Sequence, residues 1–415
     1  MKVVVSNGTY RFHLAPLASE LEKRGVLSAL LTGGYPKGFW ADWLGRVPQA
    51  GLQRLLARRE DLPDARVHAF NATEICFKAA DLAFGGRSVY LQQKLQESGF
   101  RAYARQAARV LKRTPFDIYH FRNCFGFDSA AYARSIGKKT ICDHSIGHPY
   151  AVSYLRHQKG FLLPENLGPQ SLSPLESLYL EDFQHADHIL VNSDFVKRTF
   201  TICGYDPKKL SVVYWGVDAR FLAASDHALK QGLQRKPAYD LLFCGGFGQR
   251  KGALQLMNAL AMVDDMPWTL TIAGGIEADV QQAWSDFRKR FGQRVIHLGI
   301  LPRDELARLM VQFRVFVFPT LMEGSARVVF EALASGCCVI TTPHAGSVVE
   351  DQINGLLVPP GDPYLLSDAI RSLATGDLDV DGAGIMNRML VRTSYRQDQY
   401  ADKVLRVYEH VMSGR

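Results

Sequence analysis

The sequence lacks the features that would place it in a membrane or an oxidising compartment. No stretch of its 415 residues reaches the roughly 18 uninterrupted apolar residues of a membrane-spanning helix. Its seven cysteines are odd in number and scattered, without a C-x-x-C pair or a zinc-binding spacing. The opening Met1-Lys-Val-Val-Val-Ser-Asn-Gly has an apolar run too short for a signal peptide. We therefore expect a cytoplasmic protein.

Several sequence signatures are missing as well. There is no Gly-x-Ser-x-Gly elbow, no Walker A loop, no nucleic-acid-binding motif and no internal repeat. The composition, 47% hydrophobic and 22% charged, excludes a disordered or fibrous chain. A length of 415 residues predicts two or three domains.

The net charge of +8 is distributed unevenly along the chain. Residues 1–215 carry 28 basic and 19 acidic side chains, whereas residues 216–415 carry 21 and 22. The whole excess therefore belongs to the first half, which indicates an anionic partner there. Because no nucleic-acid motif accompanies it, nucleic acid is not the expected partner.

Short apolar runs alternate with helical segments in both halves of the sequence. Strands are predicted at 3–5, 27–31, 118–121, 140–142, 189–192 and 212–214, and again at 241–244, 270–273, 295–298, 315–318, 339–342 and 356–358. This alternation predicts α/β domains with parallel sheets covered on both faces. Residues 216–238 contain no clear strand and separate the two series, residues 36–115 show little strand character, and residues 395–411 form a predicted terminal helix.

The stretch 316–336 carries the strongest chemical signal. A strand ends at Pro319, and a Gly-Ser-Ala turn leads into a helix with Glu331, eight residues after Glu323. The free N–H groups at such a helix start bind anions, and ligands of parallel sheets lie beyond the carboxyl ends of the strands. The two carboxylates can accept hydrogen bonds from sugar hydroxyls, which predicts a site for a phosphate next to a sugar. The alternative is that Glu323 is a helix-start acid and Glu331 a surface residue.

A second signal is the glycine-rich loop after the strand at 241–244. Its residues Gly245, Gly246 and Gly248 let the backbone approach a ligand closely. Arg250 and Lys251 follow, and both can neutralise phosphate charge. The alternative is a turn with solvated charges.

Together these stretches resemble the retaining nucleotide-sugar glycosyltransferases of family 4, which have the GT-B fold of two facing Rossmann-like domains. The matching residues are the E-x7-E pair Glu323 and Glu331, the pair Lys251-Gly252, and the segments 186–193, 212–218 and 354–362. The resemblance implies an acceptor domain at 1–215, a donor domain at 216–392, and a helix at 393–415 that crosses back to the first domain.

The resemblance also implies roles for individual donor-domain residues. Glu331 would hold the donor ribose. Glu323 and the backbone of Gly324, Ser325 and Ala326 would contact the donor sugar. Arg250 and Lys251 would bind the diphosphate and stabilise the leaving group, with Gly246 in the loop beside them.

In the acceptor domain, Gly8 would let the first loop approach the diphosphate, and His144 would lie beside the donor sugar. Two positions depart from the family pattern. Phe247 stands where the family often has an arginine, and Asn7-Gly8 stands where many members have Gly-Gly. Arg250 is the candidate to replace the missing arginine.

Other features have competing interpretations. Asp377-Leu-Asp379 spells the D-x-D of metal-dependent glycosyltransferases, although that motif belongs to a different fold. His120 and His148 are either catalytic or structural. The basic, Trp-bearing stretch 39–59 predicts either a membrane-facing surface or a solvated helix packed on the domain. Arg101, Arg105 and Arg109 share one helix face that either binds an acidic acceptor or is solvated.

The sequence thus predicts transfer of a sugar from a nucleotide diphosphate sugar, UDP- or GDP-linked, to a hydroxyl, without a metal or another cofactor. The expected acceptor is a carbohydrate, a glycolipid or a lipid-linked sugar, and the basic first half favours one at an anionic membrane surface. The enzyme would then be peripheral on the inner face of the membrane. The alternatives are a nucleotide-sugar epimerase or glycan phosphorylase on the same fold, and a non-catalytic membrane-associated partner of a polysaccharide assembly system.

Overall fold

Two parallel β-sheets, one in each half of the chain, carry the loops that form the candidate site. The computed structural model describes residues 1–10, 12–38, 56, 58–84, 89–157, 161–376 and 378–414. In the first sheet the strands are β1 (Val3–Gly8), β2 (Leu27–Thr32), β3 (Val67–Ala69), β4 (Ile118–Arg122), β5 (Lys139–His144), β6 (His188–Val191) and β7 (Leu210–Val212). Their order is β3-β2-β1-β4-β5-β6-β7.

The second sheet has six strands within the described residues. They are β8 (Asp240–Cys244), β9 (Thr269–Ala273), β10 (Val295–Gly299), β11 (Val315–Phe318), β12 (Cys338–Thr341) and β13 (Gly355–Leu357). Their order is β10-β9-β8-β11-β12-β13. Neighbouring strands are parallel in both sheets, which confirms the prediction of two doubly wound α/β domains.

Helices cover both sheets. In the first half they are α1 (Leu14–Lys23), α2 (Asn71–Phe84), α3 (Val89–Leu111), α4 (Phe127–Ser135), α5 (Pro149–His157), α6 (Pro174–Gln184) and α7 (Asp194–Thr201). In the second half they are α8 (Ala219–Lys230), α9 (Ala253–Met262), α10 (Gln281–Phe291), α11 (Arg303–Met310), α12 (Arg327–Ala334), α13 (Pro363–Thr375), α14 (Val380–Ser394) and α15 (Tyr400–Ser413). Short 3-10 turns lie at 64–66, 207–209, 249–251, 278–280, 292–294, 343–345 and 397–399.

The strands form because their β-branched and aromatic residues are buried on both faces. Val3, Val4 and Val5 are all fully buried, although alternate side chains point to opposite faces of the sheet. Val4 belongs to a core with Tyr103 of α3, while Val3 and Val5 belong to a core on the other face. A strand buried in this way reads as a continuous apolar run, which is why sequence analysis finds it.

The last helix packs on the first half of the chain. Val404 and Tyr408 of α15 lie in the same core as Val3 and Val5 of β1. In contrast, Val391 of α14 lies in the core of the second sheet. The two sheets fall on either side of residues 213–239, while the predicted domain bounds of 215 and 392 themselves stay predictions.

Three details differ from the sequence prediction. The strand β3 lies inside the region assigned little strand character. The strand predicted at 212–214 is β7, which ends at Val212. The terminal helix begins at Tyr400 rather than at 395, because Tyr395 caps the end of α14 and a 3-10 turn intervenes. Across the described residues, no helix combines the length and the apolar character needed to cross a bilayer.

Candidate active site

The predicted donor residues lie where the strand order of the second sheet reverses. Connections leave the neighbouring strands β8 and β11 in opposite directions, and this topology opens a crevice at their carboxyl ends. The same reversal occurs between β1 and β4 in the first sheet. The loops after β8 and β11 carry the donor candidates, and Gly8 and His144 end β1 and β5.

The glycine-rich loop after β8 is shaped by its neighbours. Gly245 has a φ of 114°, a backbone conformation that favours glycine. A Cβ on Gly246 or on Gly248 would run into a carboxylate oxygen of Glu277. Phe247 is fully buried, and its ring meets that of Phe243 edge-on at 5.0 Å between centroids. The residue at the family's arginine position therefore faces the core.

Arg250 places a cation at the edge of the second sheet where the strands have their carboxyl ends. Its side chain is 53% exposed, and Nη1 lies 2.7 Å from Oε1 of Glu323. The same nitrogen donates to the carbonyl of Met322 at 3.1 Å. The Arg250 carbonyl in turn accepts the N–H of Leu321 at 2.9 Å. These bonds join the loop after β8 to the loop after β11.

Lys251 places a second cation beside the glycine-rich loop. Its Nζ lies 3.0 Å from the position that a Cβ on Gly245 would take, and 5.9 Å from the ring centroid of Phe318. No carboxylate of the described residues comes within 4.0 Å of this ammonium group. Helix α9 begins two residues later at Ala253, so its free N–H groups lie at the same edge.

The loop after β11 is held by two backbone hydrogen bonds to the segment after β12. The N–H of Glu323 donates to the carbonyl of His344 at 2.9 Å, and the N–H of Ala326 donates to that of Ala345 at 2.8 Å. The N–H groups of Gly324 and Ser325, between them, have no acceptor in the described part of the chain. The loop therefore offers two free donors, whereas the predicted Ala326 donor is used internally.

Glu331 lies inside the second domain. It is 4% exposed on α12, and its Oε1 lies 2.6 Å from Nη2 of Arg303. Burial raises the pKa of Glu331, and the Arg303 guanidinium acts in the opposite direction. The surface interpretation of Glu331 is wrong. Glu323 is not a helix-start acid either, because α12 begins at Arg327 and its first turn holds no acid.

The two residues predicted in the first domain are both buried. Gly8 has a φ of 73°, and a Cβ there would lie 2.6 Å from the ring of Phe125. Its N–H donates to the Tyr103 hydroxyl at 3.2 Å. His144 is 2% exposed, with Nε2 3.3 Å from the carbonyl of Gly147. Burial lowers the pKa of His144 to about 4, so the imidazole is neutral near pH 7.

The donor loop touches the first domain at Gly324. The Ser193 hydroxyl, which also caps α7, donates to the Gly324 carbonyl. A Cβ on Gly324 would lie 1.8 Å from the carbonyl oxygen of Ser145, which accepts Nδ2 of Asn192 at 3.0 Å. A Cβ on Gly346 would clash with the Gly324 carbonyl. The two domains therefore meet backbone to backbone, one residue after His144.

The first domain contains a cavity of about 300 Å³ that the sequence does not predict. Arg122 and Asp143 line it, at the carboxyl ends of β4 and β5. Asp143 Oδ2 lies 2.9 Å from Nε2 of His13 and 3.5 Å from Nε2 of His120. These two imidazoles hold the pKa of the Asp143 carboxyl well below its usual range. The available signal was a charged residue directly after each buried run, since such positions lie where ligands bind.

Three of the remaining candidates contact other parts of the protein, whereas Arg105 and Arg109 are exposed. His120 Nδ1 lies 2.7 Å from the Tyr408 hydroxyl of α15, and His148 is buried among aromatic rings. Arg101 forms an ion pair with Glu181 at 2.8 Å.

The other predicted features fall at or beyond the limits of the described residues. Asp379 caps α14 by accepting the N–H of Gly382 at 2.9 Å. Asp377 lies outside the described residues, so the D-x-D motif as a whole has no structural account. Most of the stretch 39–59 also lies outside them.

Comparison with known families assigns both halves. The family model described as Glycosyltransferase Family 4 matches residues 12–221. The model described as Glycosyl transferases group 1 matches residues 238–376. The two matches cover the loops after β4, β5, β8 and β11 and confirm the resemblance.

Two curated relatives show the range of similarity. The amylovoran biosynthesis glycosyltransferase AmsK of Erwinia amylovora is 28% identical over 207 residues, covering 47% of this chain and 49% of the relative. An uncharacterised 41.2 kDa protein in the cps region of Klebsiella pneumoniae is 26% identical over 259 residues, covering 60% and 67%. The chain thus spans about half the length of AmsK.

Solved structures share the whole fold. HepE of Anabaena, solved in complex with UDP, superimposes with a TM-score of 0.61 at 15% identity, covering 99% of this chain and 100% of HepE. Sucrose-phosphate synthase from Thermosynechococcus elongatus gives a TM-score of 0.62 at 15% identity, with full coverage of both chains. These likenesses establish the GT-B fold. Because the family model matches half of this chain, the chain belongs to glycosyltransferase family 4.

Proposed function

We propose that the protein transfers a sugar from a nucleotide diphosphate sugar to an acceptor hydroxyl, with retention at the anomeric carbon and without a metal. The observation that carries this proposal is the grouping of Arg250, Lys251 and Glu323 at the reversal of strand order in the second sheet. Family membership supports the transferase chemistry. The UDP complex of HepE supports a nucleotide donor, and the similarity to AmsK supports a place in polysaccharide or glycolipid synthesis.

The leaving diphosphate needs positive charge, and two side chains supply it. Lys251 has no carboxylate partner among the described residues, so its ammonium group is available. Arg250 is paired with Glu323, and because the guanidinium is half exposed this ion pair is weak, about 0–1 kcal/mol. A diphosphate carries more negative charge than one carboxylate and accepts bidentate hydrogen bonds, so the guanidinium exchanges Glu323 for the diphosphate. Fixed cations are a substitute for Mg²⁺ at such a site.

The same exchange prepares the sugar site. When Arg250 turns to the diphosphate, the Glu323 carboxylate is released to accept hydrogen bonds from sugar hydroxyls. The N–H groups of Gly324 and Ser325, which follow Glu323 in the chain, are also without an acceptor among the described residues. Glu331 keeps one oxygen on Arg303 and has the other for the ribose hydroxyls.

In the transfer step, the acceptor oxygen attacks from the face that the diphosphate leaves. The bond between the anomeric carbon and the phosphate oxygen breaks as the new carbon–oxygen bond forms, and the acceptor proton passes to the departing diphosphate. Neutral His144 has no role as a cation in this scheme. Its Nε2 lies 3.3 Å from the Gly147 carbonyl, across the short turn that contains Ser145.

The basic first half gives the proposal its cellular setting. An acceptor linked to lipid at an anionic membrane surface would explain why the excess charge lies in residues 1–215 rather than in the donor domain. The enzyme would then work in the cytoplasm as a peripheral membrane protein.

The proposal is tested in two steps with the purified chain. Thermal unfolding is followed with UDP-, GDP-, ADP- and TDP-sugars, and a donor well above its Kd raises the free energy of unfolding by a few kcal/mol. Turnover of that donor is then compared for the wild type, Lys251→Ala and Glu323→Ala. Each variant should lose about 100-fold or more in kcat/KM, the scale of one positioned electrostatic contact.

Lys230→Ala, an exposed lysine at the end of α8, is the matched control and should keep wild-type turnover. Near-normal turnover in both site variants would refute the assignment. Formation of a sugar phosphate or an epimerised donor in place of a glycoside would refute the transfer reaction itself.

A further inference from the structure

The guanidinium of Arg122 lies in the first domain without a carboxylate partner. Its Nη1 donates to the Thr9 carbonyl at 3.1 Å. Its Cζ lies 4.2 Å from the ring centroid of Phe12 and 5.5 Å from that of Phe125. Over the ranges the structure describes, no carboxylate oxygen lies within 4.0 Å of it. Because an arginine keeps its charge, a cation is held between two aromatic rings.

The unused donors of Arg122 open into the cavity at the carboxyl ends of β4 and β5. A guanidinium has five N–H groups, and one of its nitrogens is engaged by Thr9. Each guanidinium nitrogen that lacks a hydrogen-bond partner is accessible to solvent. Arg122 also lines the cavity. A largely buried cation whose donors face a cavity calls for an anionic ligand, since buried charges in proteins are normally paired.

Asp143, which pairs with Arg122 in the register of β4 and β5, is already engaged. Asp143 holds His13 with Oδ2 at 2.9 Å and accepts the Ser145 hydroxyl with Oδ1 at 3.3 Å. Its Oδ2 also lies 3.5 Å from Nε2 of His120. Arg122 is the one arginine or lysine among the described residues that line the cavity, and it has no carboxylate partner there. It is therefore available to bind an anionic ligand.

The cavity has the lining of a sugar site. Rings of Phe77, Phe100, Phe125 and Tyr179 line it together with the polar side chains of Gln96, Asn123 and Ser145. Aromatic faces of this kind pack against the C–H faces of sugars. A volume of about 300 Å³ suits a small ligand of this kind.

The cavity also adjoins the donor loop. Ser145 lines it, and the carbonyl of the same residue faces Gly324 across the domain contact. A ligand in the cavity therefore lies next to the loop assigned to the donor sugar, on the side of the first domain. This is the position that an acceptor hydroxyl requires.

We propose that this cavity binds the acceptor, and that Arg122 selects an acceptor bearing a carboxylate or phosphate group, an acidic sugar or a sugar phosphate. The inference rests on the proposed function, because it assigns the second substrate of the same transfer. Two N–H groups of the guanidinium match a carboxylate or phosphate bidentately, and a neutral sugar lacks that partner.

The test measures sugar binding to the full chain by saturation-transfer NMR. The donor site is first filled with the nucleoside diphosphate that most raises the unfolding temperature. Glucuronic acid and glucose 6-phosphate are compared with glucose, so that the carboxylate and phosphate arms are separate. At least one acid should bind about 10-fold or more tightly than glucose, and Arg122→Gln should weaken that acid about 10- to 100-fold without changing glucose.

Two further variants keep the result interpretable. Arg113→Gln removes an exposed arginine that follows α3 and lies outside the cavity, and it should behave as the wild type. Arg122→Lys keeps the charge and the stem that packs between the rings, and it should retain part of the preference while losing the bidentate contact.

Equal binding of glucose and both acids by the wild type would overturn the inference. So would a loss of nucleoside diphosphate affinity in Arg122→Gln, which would assign the cation to the donor. If no nucleoside diphosphate binds at all, the proposed function fails, and the comparison of sugars still decides the role of Arg122.

Discussion

The contact between Gly324 and Ser145 provides a sharp test of how the two domains cooperate. In Gly324→Ala the new Cβ would lie 1.8 Å from the Ser145 carbonyl oxygen, where ordinary contact needs about 3.4 Å. The donor loop and the first domain must then separate by about 1.5 Å. Gly324 does not have a positive φ, so alanine is not strained by the backbone itself.

The expected loss falls on catalysis rather than on folding. A misplacement of about 1 Å between reacting groups costs on the order of 100-fold in rate, so kcat/KM should fall by about that factor. Stability should fall by no more than about 1 kcal/mol, the worth of the hydrogen bond from Ser193 to the Gly324 carbonyl. The assay is the initial rate of nucleoside diphosphate release, with donor affinity measured separately by thermal unfolding.

Gly292→Ala is the matched control. Gly292 also belongs to the second domain and has helical dihedrals, and a Cβ there would meet no atom within 4 Å beyond its own chain neighbours. This variant should keep wild-type kcat/KM. Wild-type rates in Gly324→Ala as well would show that the reaction does not use this approach of the domains.

Three further outcomes are expected. Arg303→Met leaves the buried Glu331 carboxylate unpaired, so the free energy of unfolding should fall by about 1–3 kcal/mol and the KM for the donor should rise. The loss is smaller than for a fully buried pair because the Arg303 side chain is 39% exposed. Burial lowers the pKa of His144 to about 4, so the unfolded chain binds more protons between pH 6.5 and 4 and stability should decline as pH falls through that window. Chemical denaturation of His144→Gln should show a shallower decline. The remainder comes from other histidines whose pKa burial lowers, among them His148 (to about 3) and His188 (to about 4), and an unchanged slope would contradict this assignment. In co-sedimentation, the wild type should prefer anionic to neutral vesicles, less so at high salt, and the absence of a preference would remove the membrane proposal.

Most of the fold follows from the sequence because its strands are buried on both faces. The runs at 3–5 and 315–318 are continuous β-branched and aromatic segments, and such runs are recognisable without tertiary information. Strand β3 has three residues, of which two are only half-buried, so it lacks that signal. The break at Tyr395 depends on how α14 caps and packs, which short-range patterns do not encode.

In the candidate site, too, local features are predictable from the sequence and contacts between distant residues are not. The spacing of Glu323 and Glu331 and the pair Arg250-Lys251 are local, and the sequence predicts them. The partner of Glu331 is 28 positions away in Arg303, and the contact of Gly324 with Ser145 joins two domains. Such pairings arise only when the sheets are assembled.

Phe247 departs from the family's sequence pattern, and packing in the folded domain explains why. The family's arginine position faces the core here, against Phe243 and Trp284. The sequence shows the substitution, and the structure shows that Phe247 is part of the core, so that Arg250 stays the proposed replacement for the arginine.

The most direct test of the central claim is the fate of a nucleotide sugar mixed with the purified chain in excess EDTA, followed by proton NMR. We predict that the donor is consumed, that a nucleoside diphosphate appears, and that the new glycoside has the anomeric configuration of the donor. A product of inverted configuration, or turnover that stops in EDTA and returns only with a divalent cation, would contradict this claim.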